Sequence, residues 1–495
     1  MSDVQNEIPC LEPINQQKGA SASMEEKKIT PEIKKQLLEA AGTDNYFDDE
    51  ESLLAHSYDA TPIYQAMPEA VIYARSTRQV SAVLKVADEH RIPVYTRGSA
   101  SNLSAGTFPL KGGIVLVMTK MNRLLEIDED NLTATFETGL ITKDLHDAVQ
   151  EKGLFYPPDP GSMVVSTLGG NIGNCAGGLH GLKYGTTKDY VLGLKAVLPN
   201  GDVLETGGKL TKDVAGYDLT KLLVGSEGTL AVITEATVKL LPAPPYKRIM
   251  LAYFDDLFAA ARTVSKIIAA KVIPATLEFL DHGTIREVEA FAGIGLPTDM
   301  EAILIIGQDG HQAVVDEEIE KMTQVCMEEA AEVKVAENDE DAERLMTARR
   351  AAFTALARKK PTTILEDATV PRSQVAPMVE KIVEIGQKYD VEICTFGHAG
   401  DGNLHPTCMT DARDEEELAR VEKAFDEIFE AALALGGTIT GEHGVGLAKA
   451  AQLEWKVGKA GMEVMRGIKK AFDPHGILNP GKMFAEETRE RVVLD

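Results

Sequence analysis

Arg97-Gly98-Ser99-Ala100-Ser101-Asn102-Leu103-Ser104-Ala105-Gly106 follows directly on the strand-like run Pro93–Thr96. Small side chains at these positions let backbone N–H groups come close to a ligand. Successive N–H groups in such a turn form a nest for an anion. A second stretch of the same kind is Thr167-Leu168-Gly169-Gly170-Asn171-Ile172-Gly173-Asn174-Cys175-Ala176-Gly177-Gly178. Neither stretch has the strand–GxGxxG–helix order of a dinucleotide fingerprint, which argues against NAD. Taken singly, each loop is more often a tight structural turn. Further motifs surround them: Tyr156-Pro157-Pro158-Asp159-Pro160-Gly161 before the second loop, then Lys183–Asp189, Thr211–Asp218 and Gly225-Ser226-Glu227-Gly228-Thr229-Leu230.

Outward from these loops the pattern is strand–helix–strand. Residues 31–60 read as a helical, acidic arm. Strands are expected at Val71–Ala74, Ile114–Met118, Thr133–Phe136, Val191–Leu198 and Val203–Thr206, the last two joined by the turn signal Pro199-Asn200-Gly201-Asp202. Ser76 or Thr77 caps a helix with apolar positions at Val80, Val83, Leu84 and Ala87. Two short strands, Ala231–Thr234 and Thr237–Leu241, lead into Pro242-Ala243-Pro244-Pro245, which marks a domain boundary. Beyond it come strands at Ile249–Phe254, Ala275–Phe279 and Ile303–Gly307, helices at 255–271, 312–335, 339–358 and 373–389, and strands at 391–396 and 403–408. This is a second domain with strands on one side of a helical layer. The organisation is therefore an extension and arm over 1–44, a ligand-binding domain over 45–245, an α+β cap over 246–435 and a C-terminal segment over 436–495.

The chain has 495 residues, enough for more than one core, and a formal net charge of −26. That charge excludes nucleic acid and an anionic membrane surface as main partners. No apolar run is long enough for a transmembrane segment. The polar residues 1–28 lack the apolar stretch of a secretory signal, and Met24 is an alternative start. Five scattered cysteines, with no C-x-x-C pair, suit a reducing, cytoplasmic setting and cannot build an iron–sulfur cluster.

The strongest chemical signal is Gly397-His398-Ala399-Gly400-Asp401-Gly402-Asn403-Leu404-His405, a strand, glycine turn and strand that can bring two histidines together. Gly441-Glu442-His443-Gly444 follows. One such histidine alone reads as a satisfied turn residue; several glycine-flanked donors in two segments read as a site. Two imidazoles and a carboxylate with open positions suit Zn²⁺, Fe²⁺ or Mn²⁺. Arg349 and Arg350 lie on a helix, where an arginine ordinarily faces solvent; a planar bidentate donor there also fits a substrate carboxylate.

Taken together, the series from Arg97 to Leu230 with G-H-x-G-D-G-N-x-H and G-E-H-G resembles the vanillyl-alcohol oxidase / para-cresol methylhydroxylase superfamily. Within it the likeness is to the FAD-linked oxidases of glycolate, D-lactate and D-2-hydroxyglutarate, over roughly residues 45–485. The resemblance implies a two-subdomain FAD-binding domain, an α+β cap and a C-terminal helical segment. It implies that Arg97, Gly98, Ser99, Ala100, Ser101, Asn102 and Leu103 cradle the FAD pyrophosphate. Pro158, Gly161, Ser162, Gly169, Gly170, Asn174, Gly177 and Gly178 would line the flavin and ribityl chain. Ile233, after the turn at Gly228, would meet the adenine. Two departures stand out: Cys175 sits where relatives carry a small or polar residue, and the absence of histidine from the Arg97–Gly106 loop argues against a covalent link through it.

The resemblance further implies His398, His405 and Glu442 as metal ligands, His443 as base and Arg349 as the carboxylate anchor, in preference to Arg350 or Arg372. Asp401 and Asn403 would shape the turn or reach the substrate. The implied reaction is oxidation of a small D-2-hydroxy acid, D-lactate or glycolate, with hydride passing to flavin N5. Electrons would leave to a partner such as an electron-transferring flavoprotein or an iron–sulfur subunit. Three alternatives stay open on sequence: a metal-dependent hydrolase, a non-catalytic protein keeping the flavin fold, and an FAD oxidase using oxygen.

Overall fold

Tyr46–Phe47, Ala70–Tyr73, Ile114–Val117 and Val94–Arg97 lie side by side in that order, the last three parallel, in the computed structural model, which describes residues 28–484. Ile114–Val117 is buried throughout, as a parallel strand covered on both faces must be. Ser76 accepts from the Gln79 N–H and caps the helix Thr77–His90, whose Val80, Val83, Leu84 and Ala87 are buried. The arm is not continuously helical: helices Pro31–Ala41 and Glu50–Ala55 flank the strand Tyr46–Phe47.

A second, antiparallel sheet orders Leu124–Asp128, Thr133–Glu137, Val232–Lys239, Val191–Val197 and Val203–Gly207. Val232–Lys239 is one strand where the sequence reads as two. It alternates buried and half-buried positions along its whole length, with register shifts against Val191–Val197 at Ile233/Glu235 and Thr237/Val238. Leu241–Pro242, inside the expected boundary, pairs with Leu154–Phe155.

The third sheet is eight-stranded: Glu332–Val335, Tyr246–Phe254, Ala302–Gly310, Thr276–Asp281, Ile393–His398, Asn403–Thr410 and Thr362–Leu365 in order, with Ala368–Thr369 also on Asn403–Thr410. The helix expected over 312–335 stops at Cys326, and 332–335 becomes an edge strand against Met250–Tyr253. Its Glu-Val-Lys-Val pattern alternates exposed and half-buried positions, the period of a strand. The helix expected over 339–358 divides into Asp339–Arg350 and Ala352–Leu356.

This sheet buries both faces. Leu257–Ala269, Gln312–Cys326, Val375–Tyr389 and Glu415–Ala434 cover one face. His282–Ala292, Asp339–Arg350 and Ala352–Leu356, together with Leu179 from the glycine-loop half, cover the other, which the sequence reading leaves bare. The second face carries the site. After the helix Leu453–Phe472, broken at Gly458, the chain returns to the first sheet. There Val94 donates to Ile477 and Asn479 donates back to Val94, each at 2.8 Å. Among the described residues no helix is long and apolar enough to cross a membrane.

Candidate active site

The first glycine loop is held from behind and left open in front. Ser104 O accepts from Leu447 N at 3.0 Å and Ala448 N at 3.1 Å. Ala105 O accepts from Lys482 Nζ at 2.8 Å and Gly106 O from Asn479 Nδ2 at 3.0 Å. By contrast, the backbone N–H groups of Gly98, Ser99, Ala100, Ser101, Asn102, Leu103 and Ser104 have no hydrogen-bond acceptor among the described residues. Half-buried Arg97 has no carboxylate within ion-pair distance there; its one hydrogen bond goes to Tyr58 O at 3.0 Å. A run of free donors beside an uncompensated guanidinium fits a pyrophosphate.

The second loop meets the first at Gly98, where a Cβ would stand 2.0 Å from Thr167 Oγ1. Thr167 is itself engaged, capping the helix Leu168–Asn174 through Gly170 N at 3.3 Å. Close approach, not flexibility, fixes glycine at Gly98 and at Gly169, whose added Cβ would lie 2.8 Å from Thr138 O. Pro158 is buried, its carbonyl 2.9 Å from His146 Nε2. Gly161, Ser162 and Gly170 are not enclosed: Gly161 and Gly170 are exposed and Ser162 half-buried. Gly228 turns at φ +68°, and Ile233 sits in its strand with its carbonyl accepting from Thr138 Oγ1 at 2.8 Å. Cys175 caps the helix in a left-handed conformation, its Sγ 3.6 Å from Thr186 Oγ1.

This second loop also reaches the histidine cluster. Asn174 Nδ2 donates to His443 O at 3.0 Å and Gly177 N to Glu442 Oε2 at 3.1 Å. His398 Nε2 and His405 Nε2 lie 3.1 and 3.5 Å from Glu442 Oε1, and the three donors fall within 4.8 Å of one another. Two donor atoms each about 2.1 Å from one ion at a tetrahedral angle are roughly 3.4 Å apart, so the cluster has the size of a metal site. His398 and His405 come together because Ile393–His398 and Asn403–Thr410 are hairpin partners, His405 opposite Phe396.

Behind the cluster stands Glu278. It holds His398 Nδ1 at 2.9 and 3.0 Å and accepts from Arg349 Nε at 2.6 Å. Arg349 is 5% exposed, lies 4.9 Å over the Phe396 ring, and keeps a buried Nη2 with no partner among the described residues. Arg350 turns away to Glu343 at 3.1 Å, and Arg372 is exposed. Burial opposes charge on His398, but the Glu278 and Glu442 carboxylates outweigh it and hold the imidazole well above its ordinary range. Burial, with His443 and His398 beside it, drives His405 well below that range. Glu442 overcomes its burial through the three imidazoles and is held down to about 2. Burial, then Glu442 and Glu278 nearby, push Asp401 up to about 7 against His398. Asn403 Nδ2 stands 3.4 Å from Glu442 Oε1.

His443 stacks on His405 at 5.1 Å. Its turn is built on buried Asp367, which accepts from the backbone N–H of Gly441 at 2.6 Å, Glu442 at 2.8 Å and His443 at 3.2 Å. His443 Nδ1 lies 3.5 Å from Asp367 Oδ1 and makes no hydrogen bond to it. Lys449, fully buried, pairs with Asp367 and with Glu366 Oε2 at 3.0 Å. Glu227 accepts from Val445 N and Gly446 N, both at 2.7 Å. The sequence reading assigns none of Glu278, Asp367, Lys449 and Glu227. Glu278 had a signal: one carboxylate inside the apolar run Leu277–Leu280.

The fold is of the vanillyl-alcohol oxidase type, and the open glycine nest suits the pyrophosphate of FAD. Against solved structures the chain superposes on p-cresol methylhydroxylase with substrate bound at TM-score 0.76, 18% identity, covering 92% of this chain and 96% of that one. Residues 68–207 match the FAD binding domain family, and 243–483 match the FAD linked oxidases, C-terminal domain. The chain is 58% identical over 468 residues to glycolate oxidase subunit GlcD of Bacillus subtilis (strain 168), covering 94% of this chain and all of that one. D-lactate dehydrogenase of Archaeoglobus fulgidus is 38% identical, over 87% of this chain and 95% of its own. The chain belongs to the FAD-linked oxidase family.

Proposed function

We propose that this enzyme oxidises a small 2-hydroxy acid of the D series, D-lactate or achiral glycolate, to the 2-oxo acid. The observation that carries this reading is the buried, unpartnered Nη2 of Arg349 beside the His398, His405 and Glu442 cluster, both anchored on Glu278. A carboxylate bound there would bring its 2-hydroxyl toward His443. Relatives named for glycolate and D-lactate support the substrate class.

When bound, FAD offers N5 as hydride acceptor, and a zinc, iron or manganese ion on His398, His405 and Glu442 offers Lewis acidity toward a hydroxyl. Arg349 anchors the carboxylate through Nη2 and so fixes which face of C2 meets the flavin. His443 takes the hydroxyl proton at Nε2, and Asp367 near Nδ1 stabilises the imidazolium that forms. Electrons leave to a partner protein, an electron-transferring flavoprotein or an iron–sulfur subunit. The formal charge of −26 suits a partner with a basic docking face. Membership of the flavin family removes the hydrolase alternative; peroxide release on aerobic turnover would identify an oxidase instead.

The test is anaerobic flavin absorbance of the purified holoenzyme on adding glycolate, D-lactate, L-lactate or D-2-hydroxyglutarate. Bleaching by glycolate or D-lactate but not L-lactate is expected. A flavin that none of them bleaches would sink the reading.

A further inference from the structure

Two carboxylates grip the turn that carries His443, one from each half of the molecule. Asp367, from the cap, holds the first part of the turn through the N–H groups of Gly441, Glu442 and His443. Glu227, from the FAD-binding half, holds the part that follows through Val445 N and Gly446 N, both at 2.7 Å. Gly444 stands between the two grips at φ +85°, and a Cβ there would lie 3.0 Å from Glu227 Oε1. Any side chain at that position would crowd the carboxylate.

Glu227 is itself fastened to both glycine loops. Its N–H donates to Gly173 O at 2.9 Å, and the next residue of that loop, Asn174, donates to His443 O at 3.0 Å. Its carbonyl accepts from Asn479 Nδ2 at 2.7 Å, and the same amide donates to Gly106 O at 3.0 Å. The backbone at Glu227 has φ +51°, in the left-handed region where glycine costs least. A side chain held in such a conformation points to something that the side chain does. Among the described residues its carboxylate makes no other hydrogen bond and no ion pair, so its work is the grip on Val445 and Gly446.

We propose that Glu227 is a positioning residue for the oxidation: it registers the turn of His443 against the second glycine loop, and so sets the imidazole relative to whatever that loop binds. The inference rests on His443 as the base, proposed above. Without the carboxylate, Val445 and Gly446 lose their acceptor, and Gly444 lets the chain beyond His443 swivel. Asp367 then fixes the turn from the cap side alone. A displacement of about 1 Å at a reacting group costs up to about 100-fold in rate.

The experiment is anaerobic stopped-flow flavin reduction of the holoenzyme by glycolate and by D-lactate, in Glu227→Gln, Glu227→Asp, His443→Ala and the double variant Glu227→Gln/His443→Ala. Glutamine keeps the shape but offers one acceptor where two are needed. Aspartate keeps the charge but is a methylene too short to reach both N–H groups. In each, the limiting first-order rate of bleaching should fall at least about 10-fold, with FAD content and substrate dissociation constant within about twofold of wild type. With the base already removed, Glu227→Gln should cost less than about twofold more, because a residue acting through His443 has nothing left to position. Wild-type limiting rates in both Glu227 variants overturn the inference. So does loss of FAD from both while the flavin still bound is reduced at the wild-type rate, which marks a merely structural role. An equal loss in the His443→Ala background overturns it too. A slow His443→Ala beside unimpaired Glu227 variants fails this assignment alone, whereas near-normal reduction by His443→Ala overturns the base and the assignment of Glu227 with it.

Discussion

Replacing Glu278 by Gln tests whether one buried carboxylate organises both halves of the proposed catalytic cluster. Glu278 is fully buried and holds Arg349 Nε at 2.6 Å and His398 Nδ1 at 2.9 Å. Breaking a buried pair from one side leaves the other charge uncompensated, at about 3–5 kcal/mol. Glutamine keeps one oxygen that can still accept from Arg349, so the loss should sit near the lower end, about 3 kcal/mol. His398 loses its carboxylate partner, which typically lowers metal affinity about 10- to 100-fold. Denaturant unfolding reads the first effect, and chelator competition with the metal-loaded protein reads the second. The substrate dissociation constant from anaerobic flavin reduction should rise as well, because Arg349 is no longer pinned. Wild-type metal affinity and substrate binding in a destabilised Glu278→Gln protein would refute the organising role and leave Glu278 a packing residue.

Three other outcomes follow from the same geometry. His443→Ala should keep FAD bound yet lose about 10²–10⁴-fold in the rate of anaerobic flavin reduction, and near-normal reduction would remove His443 as the base. Asp367 is held well below the ordinary carboxylate range, against its burial, by His443, Lys449 and backbone donors. Its folded value is depressed, so its stabilising contribution is complete above about pH 5 and disappears as pH falls through about 4 and below. Asp367→Asn should flatten unfolding free energy across that acid window, measured by denaturant titration at each pH, and an unchanged slope would contradict the assignment. Gly98→Ala drives a Cβ to 2.0 Å from Thr167 Oγ1, so the two flavin loops must part. The variant should purify with FAD well below stoichiometric, read from the ratio of flavin to protein absorbance.

The residues themselves declare the two glycine loops, the paired histidine motif and the α+β class, because backbone approach, ligand chemistry and element periodicity are local properties. The helix Thr77–His90 and the hairpin at Pro199–Asp202 were legible for the same reason: cap, apolar spacing and turn residues sit within a few positions of one another. Glu332–Val335 was not, since four residues beside a helical run say little until Met250–Tyr253 is seen to need an edge partner. The meeting of His398, His405 and Glu442 could be anticipated because glycines beside His398 and Glu442 mark two short turn motifs. Their supports were legible only in part: the apolar run marks Glu278 as an unusual carboxylate but not its partner, since Glu278 lies 120 residues from His398, and Asp367 lies 76 from His443. Only tertiary packing decides that a carboxylate in one strand meets an imidazole in another. Burial then determines which of those charges survive, because removing water makes each depend on the partner that the fold supplies.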